Sequence, residues 1–149
     1  MNNVVFVTFA GHRHITNFSE TESKLSRVLE RILYENEFVE FFVGINGDFD
    51  LIATTLIRSL MKKFGSEKCA VTLVLPYSSS KVSYYEKAYD SVIIPEELHG
   101  VHQKRVITER NRFMIDKSDL VICYVNKESG GAWQSLCYAN KVGKEVILI

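Results

Sequence analysis

Residues 119–149 begin with the apolar run Asp119-Leu-Val-Ile-Cys-Tyr-Val125, pass through the polar loop Asn126 to Gly131, and end in Glu145-Val-Ile-Leu-Ile149. The two apolar runs lack polar alternation, which is typical of strands buried on both faces of a parallel sheet. Residues 132–142 carry an apolar stripe at helical spacing, and Gly143 is expected to end that helix. The stretch therefore predicts a strand, a crossover helix and a second, parallel strand.

The same alternation of strand and helix extends back to the start of the chain. The predicted strands are Asn3 to Ala10, Phe38 to Val43, Cys69 to Leu75 (before Pro76) and Ser91 to Ile94, and the predicted helices begin near Ser19, Asp48, Tyr84 and Val101. This order predicts an α/β fold: one three-layer, Rossmann-like domain over residues 1–149, with a mostly parallel sheet covered by helices on both faces.

Three helix-end signals support the helix assignments. Ser19 with Glu22 has the spacing of a capping box, in which each side chain satisfies a free backbone N–H. Asp48 is expected to cap the second helix. Gly65 is expected to end it.

The charge balance argues against a partner held by its phosphate backbone. Lys plus Arg number 18 and Asp plus Glu number 18, so the formal net charge is zero. Duplex nucleic acid and anionic membrane surfaces are therefore not expected as partners. Apolar helix faces carrying Trp133 and Tyr138 make a homo-oligomer plausible.

The three cysteines Cys69, Cys123 and Cys137 match neither a disulfide framework nor a zinc site. No secretory or membrane-spanning segment is recognised, so a reducing cytoplasm is the expected compartment. Two pairs of histidines (His12 with His14, His99 with His102) lack an evident third ligand. No metal and no cofactor is predicted.

Loops that follow the strands of a parallel sheet meet at one edge, where ligands bind. Several of these loops carry glycine just before a helix, where free backbone N–H groups attract phosphate oxygens. Arg13 lies in the first of these loops, and its guanidinium can donate two parallel hydrogen bonds to a phosphate. The residues expected at a ligand site are Gly11, His12, Arg13, Gly44, Asn46, Gly47, Asp50, Ser129, Gly130 and Gly131.

Residues 109–112, Glu-Arg-Asn-Arg, lie inside a predicted helix. These side chains either form a solvent-exposed face of the helix, which the pattern slightly favours, or point towards the ligand. On the second alternative, Arg112 joins the candidate phosphate-binding residues.

The order of these motifs resembles the SLOG superfamily, and within it the stand-alone, bacterial YpsA-like branch. The motifs are Gly11-His-Arg13, Gly44-x-x-Gly47-x-x-Asp50, the segment from Arg110 to Asp119, and Ser129-Gly-Gly131. The resemblance implies a Rossmann-like fold and a nucleotide pocket with Gly11, Arg13, Gly47 and Asp50 near the ligand. It also implies Ser129 to Gly131 around the phosphate.

The chain departs from the enzymatic LOG-like branch of that superfamily. The LOG signature Pro-Gly-Gly-x-Gly-Thr-x-x-Glu supplies a catalytic glutamate, whereas Cys137 stands at that position here. A thiol is a poor substitute for a carboxylate that stabilises an oxocarbenium-like centre. We therefore expect binding or sensing of a nucleotide or nucleotide-derived molecule, either ADP-ribose-like or a nucleoside phosphate.

Two alternatives stay open. One is a nucleoside 5′-monophosphate N-glycosidase (phosphoribohydrolase) or deoxyribosyltransferase-like enzyme that uses Asp50 or Glu97. The other is a DNA-associated role by kinship with DprA, which the lack of a Lys/Arg stripe disfavours.

Overall fold

The computed structural model describes residues 4–149. The strands are β1 (Val4–Gly11), β2 (Phe38–Val43), β3 (Cys69–Val74), β4 (Ser91–Ile93), β5 (Leu120–Tyr124) and β6 (Glu145–Leu148). The helices are α1 (Phe18–Glu35), α2 (Asp48–Phe64), α3 (Val82–Ala88), α4 (Gln103–Asp116) and α5 (Gly130–Lys141), with a short 3₁₀ helix at Glu96–Leu98. The predicted alternation of strands and helices is confirmed. Asn3, the predicted first residue of β1, lies outside the described residues.

All the strands form one sheet in the order β4-β3-β2-β1-β5-β6, and every neighbouring pair is parallel. The order runs outward from β1 to β4 and then reverses, so β5 pairs with the other side of β1. At the carboxyl ends, Gly11 of β1 lies opposite Tyr124 of β5. This reversal is the point where a doubly wound sheet opens a crevice.

Helices cover both faces of the sheet. On one face, Leu25, Leu29 and Leu33 of α1 and Ile57 of α2 are fully buried against the sheet. Tyr85 of α3 packs on the edge of the same cluster. A buried leucine of this kind contributes roughly 1.5–3 kcal/mol to folding.

On the other face, Met114 of α4 packs on Phe42 and Val74. Leu136 and Ala139 of α5 pack on Cys123 and its neighbours in β5. The three-layer α/β class predicted from the sequence is therefore confirmed.

Two predicted helix caps are wrong. The backbone carbonyl of Asn17 accepts the N–H of Thr21 at 2.9 Å, so α1 already begins at Phe18 and Ser19 lies inside the helix. Asp48 is the first residue of α2 and follows Gly47. Its carboxylate accepts the N–H of Ile15 at 3.1 Å, so it ties α2 to the loop after β1.

The two predicted glycine stops are confirmed. The N–H of Gly65 donates to the carbonyl of Met61 at 2.9 Å where α2 ends. The N–H of Gly143 donates to Asn140 at 3.2 Å just beyond α5. Both glycines lie at the opposite edge of the sheet from the crevice, so they belong to the framework of the fold.

Candidate functional site

A cleft of about 650 Å³ opens at the carboxyl ends of β1 and β5, where the strand order reverses. Its walls come from the loop after β1, the start of α2, the middle of α4, and the segment from Asn126 into α5. The polar residues lining it include His12, Arg13, His14, Thr16, Asn46, Asp50, Arg110, Asn111, Asn126, Lys127 and Ser135. The position is the one that the topology of open α/β sheets favours for ligands.

The structure brings most of the predicted site residues together. Gly11, His12, Arg13, Asn46, Asp50, Gly130 and Gly131 all line the cleft. Gly44, Gly47 and Ser129 lie in the same loops, behind or beside its wall. Glu97, one of the two candidate catalytic carboxylates, is exposed in the 3₁₀ helix beyond the cleft.

Some of the glycines in these loops are needed for packing. A Cβ on Gly11 would lie 2.3 Å from the ring of Phe49, a fully buried residue of α2. Gly47 has φ +119°, and a Cβ there would lie 2.9 Å from the Cα of Arg13. These two glycines allow the loops after β1 and β2 to approach each other closely.

Gly130 and Gly131 have a different environment. Within residues 4–149, a Cβ built on either of them has no heavy atom within 4 Å apart from those of the adjacent residues and of the α5 backbone itself. Ser129 precedes α5 without a side-chain capping bond to the described residues. The first turn of α5 therefore presents backbone N–H groups and the positive end of a helix dipole to open space.

His12 joins the two strands that flank the reversal. Its backbone N–H donates to the carbonyl of Tyr124 at 3.2 Å, and its Nε2 accepts the N–H of Asn126 at 3.0 Å. Because Nε2 accepts, the neutral ring carries its proton on Nδ1. Burial lowers the pKa of His12 below its ordinary value of 6.5, and the charge of Lys127 acts in the same direction.

Asp50 and Arg110 both lie beside Gly44 at the floor of the cleft. Arg110 is 2% exposed, and its Nη1 donates to the carbonyl of Val74 at 3.0 Å. Burial raises the pKa of Asp50 to about 6, although Arg110 and the backbone N–H groups of Gly44 and Asn46 favour its charged form. The carboxyl of Asp50 therefore titrates close to neutral pH.

Cationic groups surround the open part of the cleft. Arg13 and Lys127 are exposed on opposite walls, and the buried Arg110 lies beneath them. Together with the start of α5, these groups produce a positive potential in a concave site, which suits an anion such as a phosphate.

Arg110 is the site residue for which the sequence pattern was most misleading. Residues 109–112 favoured a solvated face, yet Arg110 is buried in the cleft floor. A signal was present: Val106, Arg110 and Met114 recur every four residues, and all three are buried on one face of α4. Asn126 and Lys127 also line the cleft; Asn126 belongs to the loop after β5 that was expected at this edge, whereas Lys127 is not among the expected site residues.

Arg112, a candidate phosphate-binding residue, is not among the residues that line the cleft. Its guanidinium lies 5.0 Å from the ring centroid of Tyr138 and 3.8 Å from the carboxylate of Glu109. Tyr138 also donates to Asp116 at 2.7 Å, and both Tyr138 and Trp133 are partly buried within the chain. These contacts join α4 to α5.

The structure offers no metal centre among residues 4–149, where no group of three or more His, Cys, Asp or Glu side chains converges. In the same range, no helix combines the length and the apolarity that crossing a bilayer requires. Cys69 and Cys123 are buried and Cys137 is exposed, and none of the three is in a disulfide.

No protein-family model matches the chain, and no curated protein matches it in sequence.

Proposed function

We propose that the protein binds a nucleotide or a nucleotide-derived small molecule, either ADP-ribose-like or a nucleoside phosphate, and acts as a binding or sensing module. One observation carries the proposal: the cleft at the strand-order reversal combines the open N-terminal turn of α5 with the cationic side chains of Arg13 and Lys127. Phosphate oxygens are the ligand that such a combination accepts best.

The buried residues of the cleft support a preformed site. His12 and Asn126 fix the loops after β1 and β5 to each other, and Arg110 fixes α4 to β3. A ligand therefore meets groups that are already positioned, which lowers the entropic cost of binding.

The test is a survey of melting temperature with nucleotides, ADP-ribose derivatives and cyclic dinucleotides on the wild type, Arg13→Ala and Arg27→Ala. Arg27 is exposed on α1, away from the cleft, and is the matched control. We expect at least one compound to raise the melting temperature of the wild type and of Arg27→Ala by several degrees. The same compound should raise the melting temperature of Arg13→Ala much less. A panel in which no compound stabilises the wild type contradicts the proposal.

One feature favours a second candidate, an N-glycosidase or deoxyribosyltransferase-like enzyme. The carboxyl of Asp50, with a pKa of about 6, lies in the cleft and is close to the range that suits a general acid or base. Among the described residues of the cleft wall it is the one carboxylate, whereas two-carboxylate glycoside hydrolysis needs a second. Binding without turnover is therefore our first proposal.

Chromatographic detection of released free base distinguishes the binding module from the enzyme. The enzyme candidate requires base release from a nucleoside monophosphate panel that Asp50→Asn abolishes and Glu97→Gln leaves intact. No release from any nucleotide that binds contradicts it.

We also propose kinship with the SLOG superfamily and a cytoplasmic location. The motif order supports the first, and the unpaired cysteines are compatible with a reducing compartment, where buried thiols stay reduced.

A further inference from the structure

A second cavity lies next to the cleft at the same edge of the sheet, and the proposed function leaves it unused. Its volume is about 820 Å³, which is in the range of small-molecule sites. The loop after β3, the segment after β4 and the first turns of α4 form its walls. Its lining includes Tyr77, Ile94, Pro95, Leu98, Val101 and Val106.

The two sites differ in charge. None of the described residues lining the second cavity is a lysine or an arginine, and Glu96 places a carboxylate in its wall. The cleft, by contrast, is lined by Arg13, Arg110 and Lys127. These charges favour an anion in the cleft over an anion in the cavity.

The cavity suits an uncharged planar group. Apolar side chains form much of its wall, and the ring of Tyr77 is 55% exposed at its mouth, where it is free to stack. Glu96 and Gln103 supply polar atoms at the rim, and a carboxylate accepts hydrogen bonds from exocyclic amino groups. A nucleobase has this combination of a stacking face and a polar edge.

A partition that includes α4 separates the two sites. Helix α4 lines both, through Gln103 and Val106 in the cavity and through Ile107 and Arg110 in the cleft. Arg110 of the cleft floor donates to the carbonyl of Val74, the last residue of β3, and Tyr77 of the cavity follows three residues later. A ligand that crosses this partition at the open edge reaches both sites.

The sheet fixes the distance that such a ligand spans. The cleft lies over the ends of β1 and β5, and the cavity lies over those of β3 and β4. Along the sheet, the midpoint of the β1–β5 pair and that of the β3–β4 pair are three strand spacings apart, which is about 14 Å. A base joined to its own phosphate through one ribose is too short for this span, whereas a base followed by a pyrophosphate and a further group is long enough.

We propose that the cavity holds the base of an extended nucleotide whose distal phosphate group binds in the cleft. This inference rests on the proposed function, because the cleft supplies the anchor. The ligand class is a nucleotide in which at least a pyrophosphate separates the base from the anchored group. The cavity therefore selects extended nucleotides over monophosphates.

Two probes separate the sites: ADP-ribose, which spans both, and ribose 5-phosphate, which lacks a base and occupies the cleft alone. Gln103→Trp and Ser78→Trp fill the cavity from exposed positions, and Lys104→Trp is the matched control on an exposed residue outside its lining. Binding is measured by calorimetry for ADP-ribose and by NMR titration for ribose 5-phosphate.

We expect both cavity variants to weaken ADP-ribose binding at least tenfold while ribose 5-phosphate binding stays within about twofold, and Lys104→Trp to change neither. Ribose 5-phosphate binding together with an unchanged ADP-ribose affinity in both cavity variants overturns this inference and leaves the proposed function standing. Failure of both probes to bind the wild type also overturns this inference, and the proposed function is then decided by the wider nucleotide panel of the melting-temperature survey.

Discussion

The imidazole Nε2 of His12 accepts the backbone N–H of Asn126 at 3.0 Å and thereby joins the two loops on either side of the strand-order reversal. The two residues are 114 positions apart in the chain. The bond sets the separation of the two walls of the cleft, so this histidine supports the site as well as lining it.

Replacing His12 by alanine is expected to lower the free energy of unfolding by about 1–3 kcal/mol, because the Asn126 N–H loses its acceptor and the ring of Tyr124 loses a packing partner. His12→Gln is expected to recover part of the loss, since its side-chain carbonyl is an acceptor of similar reach. Urea denaturation at pH 7.5 measures both. Equal stability of His12→Ala and the wild type would show that the bond is dispensable.

The difference in stability between the wild type and the His12 variants is expected to depend on pH. The native pKa of His12 lies below 6.5, so the unfolded chain takes up the proton first as the pH falls. The stability contributed by neutral His12 is complete above pH 6.5 and is lost as the pH falls through the native pKa. The advantage of the wild type over His12→Gln should therefore shrink between pH 7.5 and pH 5.

The carboxyl of Asp50 is expected to make stability change with pH in the opposite direction to His12. Its native pKa of about 6 exceeds the ordinary value of 3.8, so its contribution to stability is complete below pH 3.8 and is lost as the pH rises through 6. Asp50→Asn should therefore gain about 1–2 kcal/mol relative to the wild type between pH 4.5 and pH 7.5. The measurement is urea denaturation across this range, with the exposed Glu97→Gln as control. A constant difference between wild type and Asp50→Asn would mean that Asp50 is ionised throughout.

Gly11→Ala is expected to destabilise the fold by about 1–3 kcal/mol, because its Cβ would overlap the buried ring of Phe49. The Phe49 ring also stacks on Tyr124, with 5.9 Å between centroids, which limits its freedom to move. Thermal denaturation gives the loss. A Gly11→Ala protein as stable as the wild type would show that the ring of Phe49 shifts without cost.

Gly131→Ala is expected to separate stability from binding. Its Cβ would enter open space within a helical turn, so the melting temperature should stay unchanged or rise slightly. The same methyl group would occupy the approach to the free N–H groups of α5. Binding of the stabilising nucleotide should therefore weaken at least tenfold by calorimetry, whereas unchanged affinity would place the phosphate elsewhere.

Much of the framework was predictable because it depends on local patterns. Continuous apolar runs predicted the strands, and Gly65 and Gly143 predicted two helix ends. The capping signals were less informative: Ser19 and Asp48 have the right chemistry, but α1 already begins at Phe18, and the Asp48 carboxylate accepts the N–H of Ile15 instead. Capping residues compete for partners, and the spacing alone does not show which pairing prevails.

The candidate site was predictable in part. The loops after the strands had to meet at one edge, and Gly11, His12, Arg13, Asp50 and Gly130 do line one cleft. Arg110 and Arg112 are two positions apart, yet one is buried at the cleft floor and the other stacks on Tyr138. The direction of each side chain depends on which face of α4 meets the sheet.

The sequence by itself determined the α/β class, the strand and helix content, and the edge of the sheet where chemistry-bearing loops gather. Those features follow from residue spacing and from the geometry of parallel crossovers. Only the tertiary structure decided that β5 pairs with β1, that His12 bridges to Asn126, and that a cavity without lysine or arginine among its described lining residues lies along the sheet edge from a cationic cleft. Each of these depends on contacts between segments distant in the chain, whose energies no local pattern records.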